Sequence, residues 1–174
     1  MTNLISGIYP ASMSVLNNDL SLNAPQTVQH AETLISFGCE GAILGGTTGM
    51  SAYLSIKDKM NLIEEAGKSS QKEKMIIGPG TTSLLDTASL INFAKSKGLN
   101  RFLCQPCAYG WPGIKNKNEA IYSYFSALLN RTGTCEIILY NFPKLVGVDF
   151  SVEAVERLVH AHKGVFIGLK DSGS

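Results

Sequence analysis

Val165-Phe166-Ile167-Gly168-Leu169-Lys170-Asp171 is an apolar run that ends on a lysine and an aspartate. Its apolar residues follow one another without the alternation of a half-exposed strand, so it reads as a strand buried on both faces. Five runs of the same kind precede it: Gly7-Ile8-Tyr9, Gly41-Ala42-Ile43-Leu44, Met75-Ile76-Ile77, Arg101-Phe102-Leu103-Cys104 and Ile137-Ile138-Leu139-Tyr140. Helical patterns separate them. Thr27 to Phe37 carries Val28, Ala31, Leu34 and Ile35 at helical spacing, with Gly38 as a C-terminal cap. Ser55-Ile56-Lys57-Asp58 reads as a capping signal ahead of Met60, Leu62, Ile63 and Ala66. Further helices are predicted over 84–97, 119–130 and 152–161, the last capped by Ser151.

Strand and helix alternating at roughly 30 residues per unit predict a parallel sheet with right-handed crossovers. Such a sheet is either open and doubly wound or part of an eight-stranded barrel. No Gly-x-Gly-x-x-Gly follows the first strand, and in Gly78-Pro79-Gly80 the proline removes a donor, so a dinucleotide-binding dehydrogenase is the weakest reading. A barrel takes about 250 residues. The reading is therefore an α/β fold of the (β/α)8 barrel kind, a single domain over 1–174 with about six βα units.

Hydrophobic residues make up 44% of the chain and charged residues 17%, which predicts a packed core and not a disordered chain. The 15 basic and 14 acidic residues give a net charge of +1 with no basic face, so neither nucleic acid nor an anionic membrane is an expected partner. The N-terminus lacks the pattern of a secretory signal and no apolar run approaches the ~20 residues of a spanning helix, so a cytoplasmic location is expected. Cys104 and Cys107 have the spacing of half a zinc or redox site, but no second cysteine pair follows, and His160 and His162 fall on an outer helix. No metal and no cofactor is expected.

In parallel α/β proteins ligands gather at the C-terminal ends of strands. Gly45-Gly46-Thr47-Thr48-Gly49 follows the second run, Gln105-Pro106-Cys107-Ala108-Tyr109 the fourth; the fifth ends at Tyr140-Asn141 and the sixth at Lys170. A lysine at a buried strand end can be desolvated, which makes a neutral amine available to attack a ketone and form a Schiff base. A tyrosine on the neighbouring strand can move protons. A loop of glycines and hydroxyls can hold an anion on its amides. Each has a plainer reading as a solvated lysine, a core-edge tyrosine or a tight turn. Their joint placement at strand ends favours chemistry.

The motifs GGTTGMSAYLS (45–55), YNFPKLVGVDFS (140–151) and GLKDSG (168–173) resemble the dihydrodipicolinate synthase / N-acetylneuraminate lyase family, in the same order and at similar spacing. The resemblance implies a (β/α)8 barrel and a class I aldolase, lyase or synthase acting on pyruvate or another 2-oxo acid together with an aldehyde. It makes Lys170 the Schiff-base lysine, Tyr140 the proton-transfer tyrosine and Thr47 the hydroxyl that relays protons to it. Gly46, Thr47 and Thr48 would hold the substrate carboxylate, and Tyr109 is the tyrosine nearest the position from which a neighbouring subunit completes the relay. It also implies a homo-oligomer, a dimer or tetramer.

Departures from the family pattern narrow the expectation. Dihydrodipicolinate synthases carry an arginine five residues after the tyrosine, where this chain has Leu145 beside Lys144; Met50 replaces a common glutamate. The first counts against the lysine-biosynthetic reaction, and the stretch YNFPKLVGV is more similar to the lyase and sugar-acid members, with dehydration of a 2-keto-3-deoxy sugar acid as a variant. The family's seventh and eighth strands have no counterpart here, which leaves open a truncated, catalytically inactive relative serving as a small-acid binder or structural subunit.

Overall fold

The computed structural model describes residues 5–173 of the chain. Five parallel strands form one sheet in chain order: β1 (Ala42–Leu44), β2 (Met75–Ile77), β3 (Arg101–Cys104), β4 (Glu136–Asn141) and β5 (Phe166–Asp171). The helices are α1 (Ala24–Ser36), α2 (Ile56–Lys68), α3 (Leu84–Ser96), α4 (Lys117–Thr132), the single turn α5 (Pro143–Val146) and α6 (Val152–Ala161). Neighbours in sequence are neighbours in space, with α1 on α2, α2 on α3, α3 on α4 and α4 on α6. That order is the continuous winding of a barrel wall and not the reversal of a doubly wound sheet.

Local chemistry explains the boundaries. Ser55 and Asp58 form a reciprocal capping box at the start of α2, and Ser151 caps α6 through Ala154 N–H. α1 begins three residues before the predicted Thr27, because the Asn23 side chain accepts from Gln26 N–H and Pro25 sits in the first turn, where its missing N–H costs nothing. Gly38 and Gly98 follow helix ends at φ of +100° and +82°, a region open to glycine without strain.

The first predicted strand is corrected. Gly7-Ile8-Tyr9 is no strand; the segment runs extended beside β1, but only Ala11 forms a bridge, to Ile43. Ile8 O accepts Glu40 N–H, Pro10 O accepts Ile43 N–H and Ser12 N–H donates to Ile43 O. Pro10 sits in the ladder where an N–H would face β1 and has none to give, so the pairing stays incomplete.

Two apolar layers flank the sheet. The larger packs the outward side chains against the helices and contains the fully buried Phe102, Phe125, Ile63, Ile91 and Leu128. Burial of each such side chain contributes about 1.5–3 kcal/mol. The smaller lies on the inner face and joins Ile43, Ile76, Leu103, Ile138 and Tyr140. β1, β2 and most of β3 and β4 are buried on both faces as predicted, but β5 is not: its residues are half-buried to exposed. It is the last strand of the sheet, and among the described residues none pairs with its outer edge.

Candidate active site

The inner face carries the predicted residues because of one irregularity in β5. Ile137 pairs with Phe166, yet Ile138 pairs with Gly168: one step on β4 matches two on β5. The extra residue is a bulge at Ile167-Gly168. From there the register runs Leu139 with Leu169, Tyr140 with Lys170 and Asn141 with Asp171. A one-residue slip moves every later side chain to the opposite face of a strand. The bulge therefore brings Lys170 level with Tyr140 on the inner face.

Tyr140 is the hub. Its hydroxyl lies 3.1 Å from Thr47 Oγ1, across 93 positions of sequence. The Lys170 ammonium lies 4.2 Å from the centre of the Tyr140 ring, within cation–π range. Lys170 Nζ donates to Ser172 Oγ at 2.9 Å and is half-buried, not enclosed in the strand as the sequence suggested. Asp171 is not its counter-ion; that carboxylate accepts from Asn141 Nδ2 and Gly173 N–H.

A cleft of about 180 Å³ opens at the strand ends, lined by Gly46, Thr47, Tyr109, Tyr140 and Leu145 among others. Thr48 does not line it and is exposed. Tyr109 reaches its rim with 83% exposure and a φ of +71°. Lys170 lines a neighbouring inner-face groove of about 400 Å³ with Ile138, Ile167 and Leu169. Tyr140 stands between the two spaces. The structure thus joins Thr47, Tyr140 and Lys170, brings Gly46 and Tyr109 to the cleft, and leaves Thr48 outside it.

The loop that carries Thr47 is held by its surroundings. Ser51 N–H donates to Gly46 O and Met50 N–H to Thr47 O, closing the turn. Gly78 packs on the Gly45 carbonyl so closely that a Cβ would stand 2.5 Å from it. Lys59 on α2, missed by sequence reasoning, secures the loop from behind: its Nζ donates to Ser51 Oγ at 2.9 Å and to Gly80 O at 2.7 Å. The side chain is buried, and burial pulls its pKa down to about 8. A signal for it existed, because Lys59 occupies the same helical stripe as the buried Leu62, Ile63 and Ala66.

Neither thiol of the Cys104-Cys107 pair is part of this site. Cys104 is fully buried, with burial raising its pKa, and the Cys107 carbonyl accepts from Trp111 Nε1. Among the described residues no group of three His, Cys, Asp or Glu side chains is placed to hold a metal, and no helix is long and apolar enough to cross a membrane.

Comparison with known proteins matches residues 4–173 to the family model described as the dihydrodipicolinate synthetase family. The chain belongs to that family. A 4-hydroxy-tetrahydrodipicolinate synthase of Methanosphaera stadtmanae is 28% identical over 88% of this chain and 50% of its own length. A protein of Escherichia coli named as a probable 2-dehydro-3-deoxy-D-pentonate aldolase is 29% identical over 96% of this chain and 54% of its own. The crystal structure of dihydrodipicolinate synthase from Agrobacterium tumefaciens superposes with a TM-score of 0.86 at 26% identity, covering 97% of this chain and 58% of that one. The chain's five-stranded parallel sheet thus matches part of the barrel of this family, and the chain spans about half the length of the relatives it matches.

Proposed function

We propose that this chain carries the Schiff-base centre of a class I aldolase or lyase acting on a 2-oxo acid, pyruvate or a pyruvate-bearing sugar acid. The observation that carries the reading is the triad of Thr47, Tyr140 and Lys170: a hydroxyl pair 3.1 Å apart, with the amine 4.2 Å from the ring centre of the same tyrosine.

In the proposed sequence Lys170 Nζ, once it has given up its proton, adds to the C2 carbonyl and the carbinolamine loses water to give an iminium. Tyr140 supplies the proton that leaves with that water, and Thr47 passes protons to and from Tyr140. In the cleavage direction the C4 hydroxyl gives up its proton to the tyrosine. The C3–C4 bond then breaks, an aldehyde departs and the electron pair rests in an enamine. Protonation at C3 and hydrolysis release the 2-oxo acid and the free lysine. In the synthetic direction the enamine attacks the aldehyde instead. Gly46 and Thr47 hold the carboxylate.

Leu145 on the cleft wall favours the sugar-acid direction. At this position an apolar side chain cannot grip a second carboxylate, whereas it leaves the hydroxyl-bearing part of a sugar acid unopposed. Dehydration of a 2-keto-3-deoxy sugar acid proceeds through the same iminium and is the variant product chemistry.

The test is incubation with pyruvate and borohydride, followed by intact mass and peptide mapping. The expected result is a reduced adduct on Lys170. Folded protein that takes no adduct there refutes the reading and leaves a non-catalytic small-acid binder.

A further inference from the structure

Asn141 follows Tyr140 in β4, and Asp171 follows Lys170 in β5; the two pairs are in register. Asn141 is 7% exposed, and every hydrogen-bonding atom of its side chain is engaged. Nδ2 donates to Asp149 Oδ1 at 2.7 Å and to Asp171 Oδ1 at 3.0 Å, and Oδ1 accepts from Phe150 N–H at 3.3 Å. Its backbone carbonyl accepts Ser172 N–H at 2.8 Å. One buried amide therefore ties the end of β5 to β4 and to the segment between α5 and α6. The chemistry fixes its orientation, since only the NH2 end can face two carboxylates.

We infer that Asn141 is the positioning residue that holds the Lys170 amine over Tyr140. The inference rests on the proposed function above. Asn141 does not touch the amine. It anchors the two residues that follow Lys170: Asp171, and Ser172, whose hydroxyl accepts from Lys170 Nζ. Holding an amine within a fraction of an ångström of its reacting geometry is worth orders of magnitude in rate. The titratable side chains that bonding or register brings to Asn141 are Asp149 and Asp171, with Tyr140 and Lys170 beside it.

The substitution Asn141→Asp is isosteric and inverts the interaction. It turns the two donors into an oxygen facing two carboxylates. Three carboxylates in contact repel unless one holds a proton, and the protonated acid donates to one of its two neighbours, so the variant regains part of the bridge as pH falls. A purely steric defect has no such dependence. Asn141→Leu removes the bridge at every pH.

The experiment measures pyruvate trapping at Lys170 with cyanoborohydride in the full chain, as the ratio of variant to wild type from about pH 5 to about pH 8. For Asn141→Asp the expected ratio is reduced about tenfold or more near neutrality and climbs toward one at the acid end. For Asn141→Leu it is low throughout. A ratio near one at all pH values, or a deficit that does not change with pH, overturns the inference. Hydrogen exchange of the peptide 166–173 is read in the same samples. Failure of wild type to trap counts against the proposed function alone. In that event the exchange decides about Asn141: faster exchange in Asn141→Asp near neutrality, closing in acid, supports the anchor, and unchanged exchange overturns it.

Discussion

Lys59 offers a test of the loop geometry that needs no substrate. Its pKa is lowered from 10.5 to about 8 by burial. Below pH 8 the side chain is protonated in both the folded and unfolded chains. Between about 8 and 10.5 the folded protein has released the proton while the unfolded chain keeps it, so the unfolded state binds more protons and stability rises with pH. Each unit of displacement corresponds to about 1.4 kcal/mol, so the full window carries a gain of roughly 3 kcal/mol at most. Lys59→Met has no such titration. At neutral pH its net effect combines two opposing changes: loss of a buried charge, which stabilises, and loss of the donor to Gly80 O, which costs about 1–3 kcal/mol. The slope is the clean observable. Urea unfolding of both proteins at several pH values from about 7 to about 10 should show the stability difference, wild type minus variant, moving in favour of wild type above about pH 8. A difference that stays flat across that window refutes the placement of Lys59 in a dry site behind the Thr47 loop.

Gly78→Ala should destabilise the fold by about 1–3 kcal/mol in urea unfolding, because the new Cβ meets the Gly45 backbone, which cannot rotate away as a side chain can. Tyr140→Phe keeps the ring beside Lys170 but removes the hydroxyl; borohydride trapping of pyruvate should slow by about two to four orders of magnitude, with near-normal stability. Thr47→Val should slow it less, since the phenol remains. Insertion of one alanine between Gly168 and Leu169 moves Lys170 opposite Asn141, on the outward face, and should abolish trapping in protein that still shows helical circular dichroism.

The sequence showed the order of the elements and the residues that end each strand, because apolar runs and caps are local signals. The capping box at Ser55 and the span of α6 needed no tertiary information. What it hid depends on partners remote in sequence. Pro10 looks harmless in an apolar segment until β1 lies alongside and lacks a donor. The run 165–169 has the composition of a central strand, and only the sheet order reveals that β5 is last. Lys59 reads as one more charge on an amphipathic helix unless its place on the buried stripe is weighed. Asn141 reads as a polar strand end, because Asp149 and Asp171, the groups that give it a task, lie 8 and 30 positions away.

The bulge at Ile167-Gly168 links these levels. An unbroken ladder continuing from the Ile137–Phe166 pair would set Tyr140 opposite Leu169 and send Lys170 outward beside Asn141. Setting Ile167 out of the ladder as a bulge exchanges those places: the amine meets the phenol on the inner face, and Asp171 takes the outward place opposite the amide of Asn141. The same step that delivers the lysine thus delivers the carboxylate by which the strand end is held. A glycine at the bulge makes the extra residue inexpensive. This explains why the motif must be read as a unit. Gly168 supplies the phase, Lys170 the amine, Asp171 and Ser172 the anchor, and no single residue among them has its geometry without the others.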